Sequence, residues 1–325
     1  MQRRVFLAGG LMPGLLLRPG RAWAQERFPT RPLRMVVPFA AGGSTDILAR
    51  ICAQWLNDRL GQPVVVENVS GAGGTLGAGR VAEATPDGYT LLAGTPGPIT
   101  INPILQPRIP YQPLRDLAPV AFVGDSPAVV VVRRQSPIRS IRDLVEQAKA
   151  KAGGMTFASS GIGSFAHLCG ELFKWRAGLN LTHVPYRGTA PAAADVIAGR
   201  VEVMFENYPS VQGYITSGEL RPLAIGASRR SALLPQVPTV IEEGVPNYES
   251  SSWFGLFAPA AVPPAIIERL NTAINEGLRQ PAIATRLIGI GVEPVGGSPA
   301  EFQAYVRQRL EEAGQLIRNA RIMLE

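Results

Sequence analysis

At 325 residues, with 46% hydrophobic and 18% charged residues, the chain is long enough to bury one large core or two medium ones and too apolar for disorder on a large scale. Its 35 glycines and 29 prolines show no collagen-like or low-complexity period, which excludes a fibrous or repeat-tract protein. The formal charge of +7 falls to +3 once Arg3, Arg4, Arg18 and Arg21 are set aside with the first 24 residues, and no stretch interleaves basic residues with aromatics, so the composition does not point to nucleic acid.

The first 24 residues read as a targeting segment. A basic pair precedes a short apolar run from Val5 to Leu17, and the small-x-small stretch Ala22-Trp23-Ala24 offers a cleavage point before Gln25. The run is too short and too broken by Gly9, Gly10, Pro13 and Gly14 for a membrane span. Arg3-Arg4-Val5-Phe6-Leu7 resembles the twin-arginine export signal of bacteria, with an ordinary secretion signal as the alternative. Either route predicts an exported, periplasmic protein. Cys52 and Cys169 then meet an oxidising compartment, but both lie in predicted helices of different halves and are expected as buried free thiols rather than a disulfide.

Along the remaining chain, residues 33–39 predict a strand and 46–60 a helix, with Ile47, Leu48, Ile51, Trp55, Leu56 and Leu60 on one face. A strand at 63–66, a glycine-rich turn, a helix to about 84 and a strand at 89–93 follow. The pattern of strand, helix, strand, helix, strand argues for a parallel sheet covered on both faces. A second set comprises strands at 129–132, 155–158, 181–185, 201–205 and 220–225, with helices at 140–151, 164–175 and 190–198. The tail predicts one strand, 253–258, and helices at 263–278, 281–289 and 299–319. That is too little for a third core, so it is expected to return to the first lobe. The expected division is 25–124 and 246–325 for one lobe and 125–245 for the other, joined near 120–128 and 240–252. The fold class is α/β, two lobes, each a mixed and mainly parallel sheet flanked by helices, with a cleft between them.

Two strand-to-helix turns carry the chemistry. Phe39-Ala40-Ala41-Gly42-Gly43-Ser44-Thr45-Asp46 places two glycines, two hydroxyls and the N–H groups of a helix start together, a setting that favours an oxyanion, although Asp46 could instead serve only as a cap. Ser160-Gly161-Ile162-Gly163-Ser164 repeats that setting in the second lobe, with Phe165 next in line and His167 one turn in. His167 has two readings, a ligand contact or a histidine satisfied within the fold. Arg187, beside Tyr186 and Gly188, could pair with a carboxylate or remain solvated, and His183 reads as structural. The run Gly71-Ala72-Gly73-Gly74-Thr75-Leu76-Gly77 resembles a dinucleotide fingerprint but lacks the acidic residue that would follow. There is no phosphate loop, HExxH or GxSxG, and Asp46, Glu67, Asp87 and Glu206 are scattered carboxylates. No catalytic residue, metal site or cofactor is expected, and a closing binding protein fits better than an enzyme.

The stretches RPLRMVVPFAAGGSTDILAR (31–50), GQPVVVENVSGAGGTLGAGRVAEATPDGYTLL (61–92), HVPYRGTAPAAADVIAGRVEVMFEN (183–207) and WFGLFAPAAVP (253–263) resemble the Bug proteins, periplasmic solute receptors of the tripartite tricarboxylate transporter system. The resemblance implies a type II periplasmic-binding-protein fold and a small organic carboxylate held by the 40–46 and 160–164 loops. It implies a second-lobe wall of His167, Tyr186, Arg187, Gly188 and Asn207, and a first-lobe wall around Gly94 to Gly97 that includes Thr95. Phe39 and Phe165 would pack on the ligand's apolar part. Ala41 stands where the family often has Pro, and Arg187 where it commonly has Lys. The implied partners are a dicarboxylate, aromatic acid or amino acid and integral membrane transporter subunits, to a receptor that is itself a monomer. A receptor feeding a signalling system, or a periplasmic enzyme acting on a carboxylate, are the alternatives.

Overall fold

The computed structural model describes residues 28–106 and 108–322, so the predicted export signal lies outside the described residues. In chain order the elements are β1 (Leu33–Val37), α1 (Ser44–Leu60), β2 (Val64–Asn68), α2 (Thr75–Ala82) and β3 (Thr90–Gly94). A π-helical turn, Gly97–Ile101, and two single-turn helices, α3 (Asn102–Leu105) and α4 (Pro113–Asp116), come next. Then follow β4 (Leu117–Arg133), α5 (Ile141–Ala150), β5 (Met155–Ser159), α6 (Phe165–Ala177), β6 (Leu181–Pro185), α7 (Thr189–Ile197), β7 (Val203–Asn207), α8 (Tyr208–Thr216) and β8 (Leu220–Ile225). The tail supplies β9 (Ser251–Pro259), α9 (Pro264–Leu278), α10 (Pro281–Gly289), β10 (Glu293–Pro294) and α11 (Pro299–Asn319).

Local chemistry accounts for the helix ends. Ser140 caps α5 by accepting the Asp143 N–H, and Ser298 with Glu301 forms a reciprocal capping box on α11. Gly61 ends α1 in the left-handed conformation, its N–H returning to Asn57 O.

The first sheet runs β2-β1-β3-β9-β4-β10 and the second β8-β4-β7-β5-β6, so the long strand β4 belongs to both. In each sheet the three outer strands are parallel, as expected, whereas every pairing made by β4 or β9 is antiparallel. The sheets are therefore mixed, with the parallel part outermost. The expected short strand at 129–132 is the far half of β4. Its near half carries Pro119, Gly124 and Pro127, which read as breakers; Pro119 and Gly124 sit where the pairing with β9 shifts register, and Pro127 pairs with Ser251, the first residue of β9.

Both faces of each sheet are covered. Met35, Leu48, Leu56 and Leu270 fill one side of the first sheet, and Val36, Ala78, Trp253 and Phe302 the other. Val130, Phe157 and Phe173 pack one side of the second sheet, and Val129, Val131, Ala192 and Val211 the other. Alternation of neighbouring residues between faces is the strand's two-residue period. The tail packs on the first sheet: β9 lies between β3 and β4, and Phe302 of α11 stacks on Phe122 at 5.1 Å. Cys52 is buried in the first core and Cys169 in the second, both as free thiols.

Candidate functional site

The lobes meet along a cleft whose rims touch. On one side, Asn102 Nδ2 donates to Gly73 O at 2.9 Å, and a Cβ on Gly163 would lie 1.7 Å from Asn102 Oδ1. A Cβ on Gly73 would come within 2.3 Å of Ile162 O. The glycine run at 71–77 thus lets the first lobe approach the second, which is a sufficient reason for it without a nucleotide. On the other side, the Ser44 N–H donates across the cleft to Ser210 Oγ at 2.7 Å, and Asn207 Nδ2 reaches Ser44 Oγ at 3.4 Å.

Between the rims is a small cavity, about 30 Å3 in this closed arrangement. Ser44 and Thr45 bring the start of α1, Phe165 that of α6, Gly188 and Thr189 that of α7, and Asn207 that of α8. Four helix N-termini, each on a helix of two turns or more, converge from both lobes. Each presents N–H groups without intrahelical partners and the positive end of its dipole, so together they favour an anion. Thr95, Ser160 and Ser252 add hydroxyls, and Phe39, Ala40 and Phe165 an apolar side.

Of the expected site residues, Phe39, Ala40, Gly43, Ser44, Thr45, Thr95, Ser160, Phe165, Gly188 and Asn207 line this cavity. Asp46 does not: its buried carboxylate accepts the Gly42 N–H at 3.0 Å, Arg50 Nε at 3.0 Å and Asn68 Nδ2 at 3.0 Å. Asn68 also donates to Phe39 O, so Asp46 and Asn68 brace the 39–46 loop from behind. Burial alone would raise the Asp46 carboxyl, but the bonds from Arg50, Gly42 and Asn68 outweigh it and hold the group below its ordinary value. Ala41 and Gly42 are exposed at the loop's outer edge.

His167 also stands behind its loop. Its Nδ1 accepts the Gly163 N–H at 3.2 Å, so the ring proton lies on Nε2. The ring stacks on His183 at 4.1 Å, and His183 Nε2 meets Ser159 Oγ at 2.6 Å. Ser159 Oγ in turn accepts the Gly161 N–H at 3.1 Å. Burial pushes His167 down to about 4 and, with the neighbouring His167 and Lys174, His183 down to about 3, so both rings are neutral near pH 7. Gly161, Gly163 and Ser164 are buried in this braced turn, where Ser164 caps α6 by accepting the His167 N–H. The Tyr186 hydroxyl donates to Asp195 at 2.7 Å and Arg187 is exposed, so neither reaches the cavity.

Thr189, Glu206 and Ser252 line the cavity without having been singled out from the sequence as ligand contacts. Glu206 is 2% exposed, accepts from Thr189 Oγ1 at 3.0 Å and from the Asn207 N–H at 2.8 Å, and burial pushes its carboxyl up to about 7. A carboxylate directly after the apolar run Val203-Met204-Phe205 was its one signal in the sequence. A second groove, about 400 Å3, lies beyond Phe165 between α6 and α11. It is lined by Leu168, Leu172 and Leu316 and by the mixed charges of Arg176, Arg309, Glu249 and Glu312, whereas the smaller cavity gathers four helix starts. Among the described residues, no helix is long and apolar enough to cross a membrane, and no group of three or more His, Cys, Asp and Glu side chains is placed to hold a metal.

Residues 48–322 match the model of the tripartite tricarboxylate transporter family receptor. The chain is 42% identical to protein BugT of Bordetella pertussis over 294 residues, 90% of each protein. It superimposes on a Rhodopseudomonas palustris protein solved with adipate with a TM-score of 0.89 at 37% identity, covering 91% of this chain and 99% of that one. It is similar also to MatC from the same species, solved with bound malate, at a TM-score of 0.85 and 33% identity over 89% of this chain and all of the other. The two-lobed fold, the cleft lined by helix starts and these likenesses agree: the chain belongs to the receptor family of the tripartite tricarboxylate transporters, the periplasmic solute-binding proteins of the Bug type.

Proposed function

We propose that the protein captures a small organic carboxylate between its lobes and presents it to the membrane subunits of a tripartite tricarboxylate-type transporter. The observation that carries this reading is the convergence of the α1, α6, α7 and α8 N-termini on one cavity from both lobes. A carboxylate there would be hydrogen-bonded from two rigid bodies at once, so binding would stabilise the closed form. The Ser44–Ser210 and Asn207–Ser44 bonds across the cleft would add to closure once the ligand has replaced water. Adipate and malate in the two R. palustris relatives support the ligand class.

Binding without turnover fits the cavity wall. The one serine–histidine pair with the spacing of a nucleophile and base, Ser159 and His183, sits behind the loop with Ser159 fully buried, where it holds the Gly161 N–H. The export signal read at residues 1–24, by the twin-arginine route, would deliver the folded receptor to the periplasm, where the family works.

Thermal unfolding of the purified protein, first unfolded and refolded to strip bound solute, against C4 to C8 diacids, citrate, amino acids, nicotinate, benzoate and the phthalates tests the reading. A saturable rise in Tm for one chemical set is expected. A flat response to all of them would remove carboxylate capture.

A further inference from the structure

Starting from carboxylate capture, on which this inference rests, we propose that Glu206 and Asn207 make one part of the cavity a seat for a hydrogen-bond donor, so that the preferred ligand is an acid bearing an ammonium group near its carboxylate, an amino acid, rather than a plain acid of the same skeleton.

The wall is chemically uneven. None of its lining residues is basic, yet it contains the buried carboxylate of Glu206. The Asn207 N–H and Nδ2 meet Oε1 at 2.8 and 3.2 Å, and Thr189 Oγ1 meets Oε2 at 3.0 Å. The two groups that only donate both meet Oε1, so that oxygen serves as an acceptor, and no cation stands among the lining residues. A cationic group brought beside it would favour the ionised carboxylate, whereas a fully anionic ligand would meet like-charge repulsion or force the carboxyl to keep its proton.

Two further atoms lack partners: Asn207 Oδ1, which only accepts, and Ser252 Oγ, which can accept or donate. Asn207 is 7% exposed and Ser252 1% exposed, both line the cavity, and Asn207 Oδ1 and Ser252 Oγ have no hydrogen-bond partner. The Asn207 amide cannot be turned to remove the vacancy. Its Nδ2 faces Glu206 Oε1 and Ser44 Oγ, and a flip would set oxygen against the Glu206 carboxylate. Unmade bonds of this kind cost stability unless a ligand completes them. An ammonium group supplies three N–H donors and a positive charge, which complements Asn207 Oδ1, Ser252 Oγ and Glu206 together. The ligand's carboxylate is left to the helix N-termini. A hydroxyl supplies one donor and no charge, which places hydroxy acids between amino acids and plain acids.

Calorimetric titration with matched series tests this: aspartate, malate and succinate, then glutamate, 2-hydroxyglutarate and glutarate, then alanine, lactate and propionate. In at least one series the amino acid is expected to bind about tenfold or more tighter than the plain acid, with the hydroxy acid between. Glu206→Gln, which removes the charge, is expected to bring that ratio to within about threefold, and Ser252→Ala, which disturbs no existing bond, to lower it by a smaller factor. Plain acids that bind as tightly as their amino counterparts, or a ratio unmoved by Glu206→Gln, would overturn the proposal while carboxylate capture stands. Silence from every acid in all three series would remove capture and this inference with it. If Glu206→Gln does not fold, the wild-type ranking and Ser252→Ala still decide.

Discussion

The two loops that frame the cavity have the same local form and are braced by opposite chemistry. Each leaves a parallel strand, turns through glycines and opens a helix whose N–H groups face the cleft. Behind the 39–46 loop stands an ionised network, in which Asp46 gathers Gly42, Arg50 and Asn68. Behind the 159–164 loop stands a neutral one, in which the stacked His167 and His183 and the Ser159 hydroxyl hold the Gly161 and Gly163 N–H groups. A strand-to-helix anion turn therefore needs its backbone N–H groups held in place, but not a charged residue to hold them. The two braces should fail under different conditions, which makes the comparison testable.

The largest effect is expected from Asp46→Ala. It strips one buried acceptor from three donors and should cost about 3 kcal/mol of unfolding free energy in denaturant titrations. A loss under 1 kcal/mol would mean that water replaces the carboxylate and that the brace is dispensable.

The same alanine placed in each loop separates closure from loop strain. At Gly163, φ is +73° and the new methyl would lie 1.7 Å from Asn102 Oδ1 on the opposite lobe. At Gly42, φ is +85° and the methyl meets nothing within 4 Å. Gly163→Ala should weaken ligand binding by about 2 kcal/mol, roughly thirtyfold, and Gly42→Ala by about 1 kcal/mol, the backbone term alone. Equal losses in titration calorimetry would place the rim contact outside the binding equilibrium.

Acid should loosen the second loop before the first. His167 and His183 titrate near 4 and 3 in the folded protein and near 6.5 when unfolded, so the unfolded chain takes up protons first. Stability falls as pH drops from about 6.5 toward 4. The Asp46 carboxyl, held below its ordinary 3.8, keeps its full contribution above that pH and loses it only below. His167→Asn, whose Oδ1 can still accept the Gly163 N–H but cannot be protonated, should flatten the decline in Tm between pH 6.5 and 4.5 by on the order of 1 kcal/mol. An unchanged slope would put the acid sensitivity elsewhere.

The smallest effect belongs to Arg50. Its side chain is 53% exposed, so Arg50→Gln should cost about 0.5 kcal/mol, less at high salt. A larger loss would show that the Asp46 network depends on that charge more than on Gly42 and Asn68.

Much of this frame was legible in residue patterns. The two turns were visible because a short apolar strand, a glycine pair and hydroxyls before a helical face are local signals, and α10, α11, β6 and β8 have the expected bounds. The length of β4 was not legible, because Pro119 and Gly124 are accommodated by register shifts against β9 and Pro127 by its place at the end of that pairing. Helix α8 was missed because it starts directly after β7 with no turn residue between them, and with Gly213 inside it. The cavity contacts of Thr189, Glu206 and Ser252 come from three elements that only the crossing strands bring together. His167 was visible as a candidate, but its position behind the loop depends on the stack with His183 from a neighbouring strand.

The most direct test of the anion site compares one acid with its own primary amide. Taking the acid that raises Tm most in the carboxylate panel, titration calorimetry should give one molecule bound per protein and an amide at least about a hundredfold weaker, since the amide brings no charge to the four helix N-termini. An amide that binds as well as the acid would contradict the account, because the convergence of those N-termini would then not be what holds the ligand.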